Sequence, residues 1–153
     1  MPVAYSSSSL HHHRAACSTG RVNLLATVLA DCAQSRDGLL FVLGGGVTRI
    51  AWNTFPARLD RDLALLLELH PSECGRPHDI RAVVQDADGH QLAEVALRLQ
   101  TDLPATLDPG ETIVVPSILV LSAAQIPSPG RYAVDLLVNG EHRQSLGFVA
   151  ALR

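Results

Sequence analysis

Three two-residue turn signals, Asp37-Gly38, Asp88-Gly89 and Asn139-Gly140, punctuate a chain whose apolar stretches are short. Such stretches recur at roughly eight to twelve residues, the spacing of sheets rather than of helical bundles. Glycine at these positions supplies the positive φ that tight hairpins demand. Around Asp88-Gly89, Ile80, Ala82 and Val84 alternate with Arg81 and Gln85. After the turn Ala93, Val95, Leu97 and Leu99 alternate with Glu94, Ala96 and Arg98. A period of two puts one set on a buried face, so this segment is expected to be a hairpin. Around Asn139-Gly140 the pattern repeats, with Tyr132, Val134, Leu136 and Val138 before the turn and Leu146, Phe148 and Ala150 after it.

Between the hairpins, Pro109-Gly110 and Pro129-Gly130 mark loops, and residues 112–121 read as a strand interrupted by Pro116. Proline cannot donate to a ladder, which assigns that strand to a sheet edge or a bulge. Two segments stay open on periodicity alone. Val22, Leu25, Ala26, Leu29 and Ala33 recur at helical spacing within 22–34, and 62–70 is built of leucine, a good helix former.

A length of 153 residues fits one domain with its own core. Residues 1–21, rich in Ser and His and without a hydrophobic period, read as a disordered leader, which leaves 22–153 for the folded domain. The chain is 47% hydrophobic and only 18% charged, so it folds and has apolar surface to cover against a partner. A net charge of -3 and 4% aromatic content lack both the basic footprint and the stacking rings of nucleic-acid binding. No apolar run is long enough to span a bilayer, and the N-terminus lacks the core of a secretory signal, so no membrane partner is expected. Cys17, Cys32 and Cys74 show no CxxC spacing, which suggests neither a disulfide framework nor a zinc knuckle. Reduced thiols in the cytoplasm are the resulting expectation.

Leu29-Ala30-Asp31-Cys32-Ala33-Gln34, then Gly38 and Leu39, then Val42-Leu43-Gly44-Gly45-Gly46 and Ile50 together resemble the opening of a family of uncharacterised bacterial β-sandwich proteins, a domain of unknown function. Its members begin with a Leu-Ala-Asp-x-Ala-Gln strand and a Leu-Gly-Gly-Gly turn. Thr54-Phe55-Pro56, the leucine segment, Arg76-Pro77-His78 and residues 86–89 and 127–132 fit as well. The resemblance implies an all-β chain, makes strands of both open segments, and carries no activity. The expected architecture is an immunoglobulin-like antiparallel β-sandwich, in which Tyr132, two residues after Gly130, matches the tyrosine corner.

Candidate chemistry is sparse. His70, Cys74 and His78, with Glu73 between them, are competent zinc ligands that the loop 70–78 has the length to gather. Gly44-Gly45-Gly46 lacks the Lys-Ser/Thr of a phosphate loop and runs into another strand, so it reads as a bulge or tight turn. Asp31, at the end of an apolar stretch, is a candidate buried carboxylate, with turn shaping as its plainer role. Trp52 is either an interface anchor or a core plug. Asp60, Asp62, Glu68, Glu73, Asp79, Asp86 and Asp88 read as solvated charges. There is no nucleophile elbow, so no catalytic residue and no cofactor is named. The function expected is a non-catalytic interaction or accessory module acting through sheet edges, loops or self-association, its partner an unidentified protein or a second copy. A small-ligand or metal-binding enzyme using the loop 70–78 is the alternative.

Overall fold

Alternating sequence becomes strand throughout the computed structural model, which describes residues 22–153; the leader expected over residues 1–21 lies outside them. Eleven strands follow in order among the described residues: β1 (Asn23–Arg36), β2 (Leu39–Gly45), β3 (Arg49–Trp52), β4 (Ala57–Arg58), β5 (Asp62–Leu69), β6 (His78–Asp86), β7 (Gln91–Leu99), β8 (Ile113–Val120), β9 (Gln125–Ile126), β10 (Gly130–Val138) and β11 (Glu141–Leu152). No α-helix occurs among these residues, and a single 3-10 turn, Pro71–Glu73, joins β5 to β6.

Two sheets share the strands. One has the order β2-β1-β5-β8, the other β3-β11-β10-β6-β7, and β4 and β9 form a separate ribbon. All pairings are antiparallel except that of β3 with β11. Both expected hairpins are present, β6–β7 and β10–β11, each with one shift of register. The two sheets supply one core, with Leu63, Leu65, Leu67 and Leu69 from the first and Ile80, Ala82, Val84, Val134 and Leu136 from the second.

Both segments left open by periodicity are strands. In β5 the leucines at 63, 65, 67 and 69 are fully buried in the core, while on the other face Ala64 is buried and Asp62, Leu66 and Glu68 are part-exposed. Neighbouring strands on both sides override the helical preference of leucine, because propensity is a weak prior against sheet packing. β8, with Pro116, stands at the edge of its sheet as expected.

β1 is fourteen residues long and outgrows β5. It pairs with β5 from Asn23 to Ala30, where β5 begins at Asp62, and with β2 from Ala30 to Arg36. Beyond Ala30 the two strands β1 and β2 therefore continue as an arm without β5 beside them. The Asp62 carboxylate reaches past the end of β5 and accepts the Ala33 N–H at 2.8 Å. Asp62 is thus a strand-end cap, which corrects the reading of it as a free solvated charge.

Candidate functional site

The loop after β5 was the leading place for chemistry, and its geometry is that of a structural joint. His70 caps the 3-10 turn, its Nδ1 accepting the Ser72 N–H at 3.2 Å and lying 2.8 Å from Ser72 Oγ. His78, at the start of β6, is 3% exposed, with Nδ1 3.1 Å from Asn139 Nδ2 and Nε2 3.0 Å from the Glu73 carbonyl. Asn139 Oδ1 already accepts the Asp79 N–H, so its Nδ2 donates to His78 Nδ1 and His78 Nε2 donates to the Glu73 carbonyl. One ring nitrogen thus ties His78 to the β10–β11 turn and the other holds the loop before β6. Burial first, then the negative charges of Asp102 and Glu73, raises the Cys74 thiol above its ordinary value, which disfavours the thiolate a metal needs.

The ligand atoms of His70, Cys74 and His78 do not all come within 4.8 Å of one another. Among the described residues, the three-member group of potential ligand atoms within 4.8 Å of one another is Asp86, Asp88 and His90, in the β6–β7 turn. There Asp86 Oδ1 accepts the N–H groups of Asp88 and His90, both at 2.9 Å, and Oδ2 lies 3.1 Å from His90 Nδ1. The His90 N–H is the main cause holding the Asp86 carboxyl below its usual range. These groups close the turn among themselves. Glu73, expected to be solvated, is instead buried, with a carboxylate oxygen 3.8 Å from His78 Nε2.

A second constellation was not anticipated. On β10 and β11, Asp135 accepts the Ser145 hydroxyl, and His142 Nε2 lies 3.0 Å from Ser145 Oγ. Gln85 donates to the other Asp135 oxygen. Serine, histidine and aspartate meet, but in an order unsuited to acyl transfer. A hydrolytic triad needs the serine proton aimed at the imidazole and the carboxylate on the far ring nitrogen. Here Asp135 takes the serine proton and approaches the same Nε2, at 3.6 Å. The group cross-links neighbouring strands.

Asp31 is not the buried carboxylate considered from sequence. It lies within β1, not at its end, its side chain is 57% exposed, and it pairs with Arg61 Nε at 3.1 Å. A Cβ added at Gly44, whose φ is +63°, would come within 2.7 Å of the Asp31 carboxyl carbon, so the first two requirements for glycine there are steric and conformational. The triple glycine ends β2 as a turn, with Leu29 O accepting Gly46 N at 2.9 Å and Val47 N at 3.0 Å. Trp52 is half-buried, packs against the rim of the core and meets Phe55 edge-on at 5.8 Å.

The remaining candidate is the arm. Along β2, Leu39 is 61% exposed, Phe41 52%, Val42 40% and Leu43 72%. With Cys32, Ala33 and Gln34 of β1, Phe41, Val42 and Leu43 line a shallow hollow. The five consecutive apolar residues Leu39-Leu40-Phe41-Val42-Leu43 are plain in the sequence, but their exposure is not. The available signal was their lack of alternation, since a run of five apolar residues usually marks a strand buried on both faces. Here that run stands in solvent at a sheet edge.

The model of a family of unknown function, DUF6941, matches residues 25–151. A search of curated proteins finds no match. Among solved structures, Pseudomonas fluorescens alkylpurine DNA glycosylase AlkC bound to DNA containing an abasic site analog is similar over 68% of this chain, at 19% identity and a TM-score of 0.41, and this chain spans 28% of that one. At that score the likeness carries neither fold nor activity. Among the described residues no helix is long and apolar enough to cross a membrane.

Proposed function

This chain belongs to that family of unknown function, and from that premise we propose that it is a non-catalytic interaction module of immunoglobulin-like architecture whose contact surface is the β1–β2 arm. The observation that carries the reading is the exposure of Leu39, Phe41 and Leu43 on an edge strand. Fully burying such a side chain contributes about 1.5–3 kcal/mol, so the exposed fractions of these three leave roughly 3–5.5 kcal/mol for a partner to recover. A sheet edge with a row of large apolar side chains fits an extended protein segment better than a small polar ligand. The free thiols Cys32 and Cys74 suit a reducing setting such as the cytoplasm.

Three features support the immunoglobulin-like part of the reading. The five-stranded sheet places β3 parallel to the last strand, β11, beside the sequence β11-β10-β6-β7. The opposite sheet carries β5 and β8, the strands that flank the β6–β7 hairpin in the chain, with β1 beside β5. Tyr132 Oη donates to the Ser128 carbonyl at 2.7 Å, four residues back, as a tyrosine corner does.

The test is recovery from the native cells through a tag at Arg153, comparing the natural chain with Phe41→Lys. A protein retained in stoichiometric yield by the first and lost by the second is the expected result. Equal retention by both overturns the assignment of the arm.

A further inference from the structure

We propose that β2 pairs antiparallel with β2 of a second copy across a two-fold axis, joining two four-stranded sheets into one; this rests on the reading of the arm as a contact surface. The backbone of β2 has an open side. The turn Asp37-Gly38 has φ values of 52° and 72°, and the pair that closes it is Arg36 with Leu39. In a two-residue hairpin the closing pair exchanges hydrogen bonds and the pattern then alternates. Leu39, Phe41 and Leu43 therefore bond to β1, and the N–H and C=O groups of Leu40 and Val42 point away from it. Because β2 is the outermost strand, those groups face a vacant ladder position.

The other edges of the two sheets are protected in recognisable ways. β8 carries Pro116, β7 carries Glu94 and Arg98 at exposed positions, and β3 is four residues long and begins with Arg49. Prolines, charges and shortness are the devices by which soluble proteins keep sheet edges apart. β2 has none of them. No charged residue lies between Asp37 and Arg49, so a copy of this strand meets no like charge when it approaches its counterpart. A register centred on Val42 sets Val42 against itself, Phe41 beside the copy's Leu43, and Leu40 against the copy's Gly44, which has no side chain.

The area fixes the strength. Seven residues at about 3.4 Å each give an edge about 24 Å long, and with side chains on both faces about 10 Å deep, so the pair covers on the order of 500 Å² in all. Stable dimers bury about 1,200 Å² or more, which places this one among weak, exchanging associations held by main-chain bonds.

Sedimentation equilibrium of the full chain from low to high micromolar concentration tests the proposal. The apparent mass is expected to rise from that of one chain toward that of two. Val42→Pro removes an outward N–H and leaves the β1–β2 bonds in place; it is expected to stay monomeric with an unchanged circular dichroism spectrum. Phe41→Lys, which keeps the backbone intact, is expected to weaken self-association at least about tenfold and decides the matter if the proline variant does not fold. Leu152→Lys, at an exposed position outside the arm, is expected to associate like the natural chain. A natural chain monomeric throughout, or a folded Val42→Pro that still dimerises, overturns the proposal. A monomer whose cellular partner is lost on Phe41→Lys removes the second copy alone; a monomer with no such loss removes the reading of the arm as well.

Discussion

Replacing Asp62 with alanine removes a side-chain hydrogen bond that, beside the Arg61–Asp31 ion pair, fastens the arm where β5 stops. Its carboxylate accepts the Ala33 N–H at 2.8 Å, and Ala33 is buried. A hydrogen bond to a charged acceptor contributes about 1.5–3 kcal/mol net, and the part-exposed carboxylate puts this one at the lower end, about 1.5 kcal/mol. Asp62→Ala is expected to lose that amount in urea unfolding, with an unchanged denaturant slope. Asp62→Asn keeps an oxygen acceptor without the charge and is expected to lose about half as much. Because the bond is local, the effect is also local. Amide exchange at Ala33 is expected to speed up about tenfold, while Leu67 in the middle of β5 follows only the change in global stability. Stability within about 0.3 kcal/mol of the natural chain, or equal acceleration at Ala33 and Leu67, refutes the capping role.

Tyr132→Phe removes the hydroxyl bonded to Ser128 and leaves the ring stacked on Phe148 at 5.6 Å, so a loss of about 1 kcal/mol in urea unfolding is expected; no loss refutes a corner that contributes to stability. Alkylation with iodoacetamide, followed by mass spectrometry of the peptides, is expected to modify exposed Cys32 before Cys74, whose thiol is raised by burial; the reverse order refutes that ranking. The Asp86 carboxyl, lowered chiefly by the His90 N–H, stabilises the β6–β7 turn above its unfolded value and loses that contribution as the pH falls through its folded value. The Asp88 and His90 amide resonances are therefore expected to shift below about pH 4, and constancy down to about pH 2 refutes the bond.

The elements legible from sequence were those with a local cause. Asp88-Gly89 and Asn139-Gly140 fix their hairpins within a few residues, and Pro116 marks an edge strand without reference to anything distant. Residues 62–70 were not legible by period, because β5 carries leucine on its core face and a mixture of alanine, leucine and acid on the other, where Ala64 is buried too. Its conformation comes from neighbours on both sides. The candidate site was read less well for the same reason. His78 looks like a free ligand in the sequence, and only the fold sets Asn139, sixty-one residues away, against its Nδ1. The exposure of Leu39, Phe41 and Leu43 depends on β5 ending at Asp62, which no pattern inside β2 records. Asp135, His142 and Ser145 belong to facing strands, and their convergence depends on register.

The parallel pairing of β3 with β11 joins Arg49 to Val149 and Trp52 to Leu152, partners a hundred residues apart. A nascent chain that has not yet delivered residues 149–152 leaves β3 without its ladder, whereas the β1–β2 hairpin needs only residues 30–45. Contacts of such long range make folding slow compared with local hairpin closure. During synthesis the apolar arm thus precedes the sheet that β11 completes, and for that interval its exposed strand is the segment of the growing polypeptide most open to premature association.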